Sequence, residues 1–490
     1  MAGLWELLES VGFAGWALPA VLGHLLELVL LRWVLLNTDR SPSAAVAWIL
    51  AIVFLPVLGP LAYLTFGMNR AESRRAARRR AEATADAELG QTPADAPGVR
   101  RPDLPPPGRE LARLGEAVGG HPWTAGNRVE VITDTNRTLG LIAQAIEQAR
   151  ETIHLEYYIW QPDKTGRHLR DRLIARARDG VKIRFLYDAF GSMLLRRRFL
   201  KPMIDAGIEV AAFAPGNTFW DRWSLNLRSH RKIVVVDGRT AFTGGMNIGD
   251  EYIGKRKKFG YWRDTHARLT GPAALQLQRV FADDWFYSTG HLLDDPALMP
   301  EPATDGPDTA QIVAGGPVAE PRPFHALMFS AIGAAERSVE LTTSYFIPTD
   351  PLAMALEAAA LRGVDVRILV PGRSAHLMPF TVWAGRAYYG RLLKAGVKIH
   401  EYDRGILHAK TLVIDDAWSL VGTPNYDNRS VSLNFEVAVA LFGAAAAAGL
   451  HEQFERDLRD ARPVTHATRE RVRPLMRATE NFCRLFAPIL

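Results

Sequence analysis

The chain has 490 residues, one cysteine (Cys483) and a formal net charge of +6, from 59 Lys and Arg against 53 Asp and Glu. That length spans two or three ordinary domains, and hydrophobic and charged fractions of 48% and 23% exclude a disordered chain, a collagen-like fibre and a many-span transporter. A lone cysteine excludes an internal disulfide and a four-thiolate metal site, and the basic balance suits a chain that meets phosphate in nucleic acid or on a lipid surface.

From Ala44 to Phe66 there are 23 residues without a charge, about 34 Å as a helix at roughly 1.5 Å per residue, which is long enough to span a bilayer. Pro56, Gly59 and Pro60 would spoil a soluble helix but are tolerated in membrane helices. The preceding run, Phe13 to Leu36, is a weaker span: it carries His24, Glu27 and Arg32, and a central charge costs about 2.5 to 3.5 kcal/mol. His24 and Glu27 share a helix face. Residues 1–12 hold no Lys or Arg, so a retained two-helix hairpin over residues 1–70 is expected rather than a cleaved leader. Arg40 stands alone between the runs, whereas Arg70, Arg74, Arg75, Arg78, Arg79 and Arg80 follow the second, which places both chain ends on the cytoplasmic side.

Residues 71–127 read as a basic juxtamembrane segment and a linker, with Pro105, Pro106 and Pro107 in a row. Two stretches built to one plan follow, over 128–300 and 308–490, joined by the low-complexity segment Pro296 to Pro307. In the first, IHLEYYIW, LRDRLIARARDG and VKIRFLYD read as strand, helix and strand; in the second, ELTTSYFIP, LAMALEAAALRG and VDVRILVP do so. This alternation predicts an α/β fold with mixed, largely parallel sheets.

Each stretch carries one copy of H-x-K-x-x-x-x-D: His230, Lys232 and Asp237, and His408, Lys410 and Asp415. GGMN (Gly244 to Asn247) and GTPN (Gly422 to Asn425) follow at equal spacing. In a strand, residues two apart share a face, so each His–Lys pair can reach one ligand. Asp237 and Asp415 complete the motifs, but their odd offset assigns them mainly to holding the turn. Two histidines, two lysines and the amides of Asn247 and Asn425 suit a phosphodiester: the cations and amides bind nonbridging oxygens, one neutral imidazole attacks, and the other, protonated, serves the leaving group. Metal is not expected, because an ammonium stands beside each histidine and no carboxylate or cysteine cluster completes a shell.

The duplicated motif resembles that of the phospholipase D superfamily, and NLRSHRKIVVVD, GGMNIGDEY, WRDTHARLTGP, YFIPTD, GILHAKTLVID, GTPNYDNRS and LNFE resemble bacterial cardiolipin synthases. The resemblance implies two pseudo-symmetric phospholipase D-like repeats behind a transmembrane hairpin at the bacterial inner membrane. It further implies phosphatidylglycerol as substrate, cardiolipin and glycerol as products, no cofactor and no nucleic acid partner, with a homodimer left open. His230 would be the nucleophile and His408 the acid and then the base. Carboxylates hold the histidines in this superfamily, and Asp264, 34 residues after His230, and Glu436, 28 after His408, are the candidates; Asp250, Glu251 and Asp427 are alternatives. Tyr157, Tyr158, Trp160, Trp220, Trp223, Tyr345 and Phe346 are candidate apolar walls. A hydrolytic phospholipase D, a nuclease and a silent scaffold are the rival functions.

Overall fold

Two prolines decide the shape of the N-terminal apolar segment. The computed structural model describes residues 21–36, 42–67, 99–213, 228–317, 319, 322–372 and 379–489, and the chain divides into two compact units, residues 1–73 and 74–490. In the first unit a helix over 21–36 is followed by a second, Pro42–Phe54, and a short third, Leu58–Ala62, that runs into a wider turn over Tyr63–Gly67. The uncharged run expected as one helix is thus broken, since Pro56 and Pro60 have no amide hydrogen to give. A side chain at Gly59 would fall 2.0 Å from the Ala51 carbonyl oxygen. Among the described residues no helix is long and apolar enough to cross a membrane. Leu30, Val34, Ile52 and Tyr63 form a buried seam, and His24 and Glu27 pair at 2.9 Å. The expected basic cluster from Arg70 to Arg80, with Arg40, lies outside the described residues.

In the second unit the strands run β1 (Thr124–Gly126), β2 (Arg128–Ile132), β3 (Thr152–Tyr157), β4 (Lys182–Asp188), β5 (Glu209–Phe213), β6 (Arg228–Ser229), β7 (Lys232–Val236), β8 (Thr240–Gly244), β9 (Tyr261–Arg263) and β10 (His266–Thr270). They continue as β11 (Gly306–Gly315), β12 (Ser338–Thr342), β13 (Phe346–Ile347), β14 (Asp365–Pro371), β15 (Lys398–Tyr402), β16 (Gly405–Leu407), β17 (Thr411–Ile414), β18 (Trp418–Gly422), β19 (Tyr426–Asp427), β20 (Asn434–Phe442) and β21 (Ala461–Val464). One sheet has the order β2-β10-β8-β7-β3-β4-β5, and the other repeats it as β11-β20-β18-β17-β12-β14-β15, with β1 and β21 added at its ends. Only β3-β4-β5 and β12-β14-β15, which have helices between them, pair in parallel; every other neighbour in these two orders is antiparallel. The expectation of largely parallel sheets is corrected accordingly. The motif and its tail form a hairpin in each half, β7–β8 and β17–β18, and hairpins force antiparallel pairing.

The helix Pro272–Thr289 lies in the core that both sheets share, with Leu277 and Phe281 packed among Ile233, Leu269, Ile312 and Val437. Its buried Gln276 and Gln278 are both bonded, Gln276 to the Pro122 carbonyl and the Ile312 amide, and Gln278 to His154. The linker expectation is also revised. Gly108–Gly119 is a helix whose Ala112 carbonyl accepts from Gln311, and β1 pairs with β11, so this segment belongs to the second sheet. Pro and Gly composition hid the apolar face of Leu111, Ala112 and Gly115.

Candidate active site

Each histidine stands just before an inner strand and is held by the opposite half of the molecule. The His230 amide donates to the Phe435 carbonyl at 2.9 Å, and the His408 amide to the Arg263 carbonyl at 2.7 Å. Short parallel pairings fix these contacts, β6 with β20 and β9 with β16. The residue after each accepting carbonyl is a carboxylate. Glu436 Oε2 lies 2.9 Å from His230 Nδ1, and Asp264 Oδ2 lies 2.7 Å from His408 Nδ1. The two candidate orienting groups are therefore exchanged between halves: the carboxylate downstream of each histidine in sequence serves the other one.

Lys232 Nζ donates to the His230 carbonyl at 2.6 Å, and Lys410 Nζ donates to the His408 carbonyl and also lies 2.9 Å from His408 Nδ1. Each histidine is within electrostatic reach of the other half's lysine, so the motifs converge on one site. Burial dominates its titration. It lowers both imidazoles to about 4; Glu436 opposes the shift at His230, whereas Lys410 adds to it at His408 before Asp264 opposes it. Burial lowers Lys232 to about 7 and Lys410 to about 8, with Glu436 and Asp264 as the main counterweights respectively. For the carboxylates burial alone would raise the pKa, yet His408 and Lys410 hold Asp264, and His230 and Lys232 hold Glu436, below the usual range.

A family model described as cardiolipin synthase, PLD-like domain, matches residues 142–285 and 328–458, the segments that supply all six of these side chains. The chain belongs to this cardiolipin synthase family of phospholipase D-like proteins. A second model, phospholipase D-nuclease N-terminal, matches residues 26–67. The cardiolipin synthase of Geobacillus thermodenitrificans is 37% identical over 466 residues, 95% of this chain and 92% of that protein. Cardiolipin synthase 1 of Bacillus anthracis is 36% identical over 476 residues, again 95% and 92%. Among solved structures, a phosphatidylserine synthase from Haemophilus influenzae Rd KW20 shares the fold, with a TM-score of 0.60 at 14% identity over 78% of this chain and 100% of that one.

Around this family site the remaining candidates separate cleanly. Asn247 accepts from the Ile159 amide at 3.1 Å and Asn425 from Ser344 Oγ at 2.6 Å; with each amide oxygen engaged, the nitrogen is the donor, and that of Asn247 also meets the Tyr252 phenol. Asp237 and Asp415 lie at the far ends of β7 and β17 from the histidines. Asp237 accepts the amides of Arg150, Glu151 and Thr152, and Asp415 those of Glu336, Arg337 and Ser338. Both adopt a left-handed backbone (φ 52° and 53°) that a turn requires, so neither reaches the reacting groups. Asp250 accepts from Thr165, Asp427 caps the helix Asn428–Ser432, and Glu251 sits against the Tyr252 phenol.

Of the candidate walls, Tyr158 meets the His230 ring edge-on at 5.0 Å. Tyr157, Trp160 and Phe346 are core residues, and Trp220 and Trp223 lie outside the described residues. Sequence reasoning missed Trp262, whose ring is 5.4 Å from that of His408 and balances Tyr158; its place two residues before Asp264 was the available signal. It also missed two buried ion pairs, Arg231 with Asp284 and Arg263 with Asp457, which anchor the backbone beside His230 and Asp264. Glu340, His451 and Glu455 could in principle hold a cation, but the Arg367 guanidinium donates to both glutamates and makes the group an ion-pair network.

Proposed function

We propose that this chain transfers a phosphatidyl group from one phosphatidylglycerol to a hydroxyl of a second, releasing glycerol through a phosphohistidine on His230. The observation that carries the reading is the pair of exchanged His–carboxylate contacts with a lysine beside each, in a chain of the cardiolipin synthase family. Two lysines balance two carboxylates, so the site with neutral imidazoles has room for one phosphodiester anion. Its charge raises the proton affinity of the imidazole that acts as acid. His230 Nδ1–H donates to Glu436, leaving Nε2 with a lone pair aimed by a fixed tautomer. That nitrogen forms the bond to phosphorus as the bond to the glycerol oxygen breaks, and protonated His408 supplies the alkoxide with its proton. Neutral His408 then takes the proton of the incoming hydroxyl, whose oxygen displaces His230. Lys232, Lys410, Asn247 and Asn425 bind the oxygens on which charge gathers.

The first unit supports a membrane-anchor reading. Around its buried seam, Leu22, Leu25, Val29, Leu36, Leu50, Phe54 and Leu58 are exposed, an arrangement that suits lipid better than water. In this proposal the second apolar run enters as a broken helix, with the catalytic unit on the cytoplasmic face of the inner membrane.

Purified protein given phosphatidylglycerol alone, with chelator and without nucleotide, is expected to yield cardiolipin and glycerol in equal amounts by lipid mass spectrometry. Phosphatidic acid as the dominant product would replace this reading with a hydrolase.

A further inference from the structure

Each half carries an exposed apolar surface rich in arginine, and each surface is linked to a segment of the site by a hydrogen bond. In the first half β4 ends at Asp188, whose carboxylate accepts the amides of Phe190, Gly191 and Ser229, the residue before His230. In the turn that follows, Phe190, Met193 and Leu194 are 45%, 61% and 51% exposed, and Arg196, Arg197 and Arg198 are exposed beside them. The segment FGSMLLRRR holds three arginines and no acid.

In the second half the helix Pro474–Arg484 is amphipathic in the inverted sense. Its buried positions are Glu480, which Arg469 holds in a two-point ion pair, and Cys483. Leu475, Phe482 and Leu485, at helical spacings of seven and three, form the opposite stripe and are 80%, 58% and 73% exposed. Arg471, Arg473, Arg477 and Arg484 flank that stripe, and all are exposed. The last turn is tied to the site, since Asn428, three residues after Asn425, donates to the Pro488 carbonyl at 2.6 Å.

A helix at a boundary with water turns its leucines and phenylalanines inward; this one turns them out and buries an ion pair. Apolar tips flanked by exposed arginines that outnumber the neighbouring acids match an anionic lipid surface, with acyl chains for the former and phosphates for the latter. A second copy of the chain would set arginine against arginine. We propose that the turn Phe190–Leu194 and the helix Pro474–Arg484 are two points at which the catalytic unit docks on an anionic bilayer, one on each side of the site; the proposal rests on the reading of the substrate as a phospholipid.

The test uses the full chain in vesicles containing phosphatidylglycerol, labelled with nitrobenzoxadiazole at Leu194→Cys or Leu475→Cys; Asp171→Cys serves as control, and the unsubstituted chain, with its buried Cys483, sets the background. Labels at 194 and 475 are expected to shift to the blue and to be quenched by brominated acyl chains, and the label at 171 to do neither. Water-like emission at 194 and 475 in vesicles that make cardiolipin would overturn the docking and leave the enzymatic reading intact. Insertion in vesicles that make none would do the reverse. Protection from aqueous iodide without quenching by brominated lipid would mark a protein contact and also overturn it. Met193→Asp with Leu194→Asp, or Leu475→Asp with Leu485→Asp, is expected to raise the apparent KM for vesicle lipid roughly tenfold or more with kcat retained. Should either pair unfold the chain, the label measurements decide alone.

Discussion

His230 and His408 occupy equivalent places in equivalent hairpins, yet their Nδ1 atoms meet different neighbours. That of His230 faces one partner, Glu436, which is itself steadied by Thr423 and Asn434. That of His408 faces a carboxylate at 2.7 Å and an ammonium at 2.9 Å. The first tautomer is fixed and leaves Nε2 free to attack; the second is contested, and the adjacent cation makes its imidazolium readier to give up a proton. A twofold plan thus surrounds its two histidines differently, and the proposed division into nucleophile and proton carrier rests on that difference.

The histidines themselves offer the largest test of this difference. His230→Ala and His408→Ala are each expected to lower steady-state transfer by about 10⁴-fold or more. Only His408→Ala should still accumulate a phosphatidyl adduct, seen by intact mass, from a donor with a nitrophenol leaving group. An adduct on His408 instead would exchange the two roles. Next come the carboxylates. Glu436→Gln is expected to abolish labelling of His230, with a loss of roughly 10³-fold, and Asp264→Asn to slow chiefly the second step, because each removes the acceptor that holds one imidazole. Equal effects on both steps would erase the distinction.

The lysines come third, and their effect depends on pH. Each Lys→Ala change is expected to cost about a hundredfold in turnover, close to 3 kcal/mol. With Lys232 lowered to about 7 and Lys410 to about 8, the empty site loses positive charge as pH rises from 7 to 9. Binding of tungstate, an inert dianion over that range, should therefore weaken with rising pH, and Lys232→Met should remove the earlier inflection. Stability follows the opposite sign for these groups: the unfolded chain holds more protons between their folded and ordinary values, so their contribution improves as pH rises above 7. The histidines, lowered to about 4, act the same way at lower pH, and stability falls as pH drops below 6.5. Denaturant titration at pH 5, 7 and 9 checks both slopes.

Thr423 offers the smallest test. It stands where the first half has Gly245, and there a side chain would fall 2.0 Å from Asp264 Oδ1. Thr423→Ala removes one donor to Glu436 and is expected to slow attack by His230 roughly tenfold, about 1.4 kcal/mol, while leaving the proton-transfer half intact in single-turnover kinetics.

Much of this site was legible in the sequence because strand period and repetition are local signals that put His and Lys on one face twice, while the resemblance to the superfamily pointed to both carboxylates. The exchange of Asp264 and Glu436 was not legible, since spacing assigns each to the histidine upstream of it, and only β6–β20 and β9–β16 bring the halves across. Sheet direction misled for a related reason. Alternating strands and helices announce parallel pairs, but β8 and β18 follow direct hairpins, β10 follows a connection of turns and the short β9, and the five-residue helix Asn428–Ser432 before β20 is too short for a parallel crossover. The helix Gly108–Gly119 was concealed by its neighbours Pro105 to Pro107.

The crossed contacts also set the moment at which the site comes into being. His230 waits for a partner 206 residues further along the chain, and Asp264 for one 144 residues further along. Contacts of such separation close late, after the local hairpins and helices have formed. During synthesis the first motif is complete long before Glu436 has left the ribosome, and over that interval His230 has neither its carboxylate nor the Phe435 carbonyl that seats its backbone. A nascent or truncated chain that lacks Glu436 therefore presents a histidine and a lysine but no assembled catalyst.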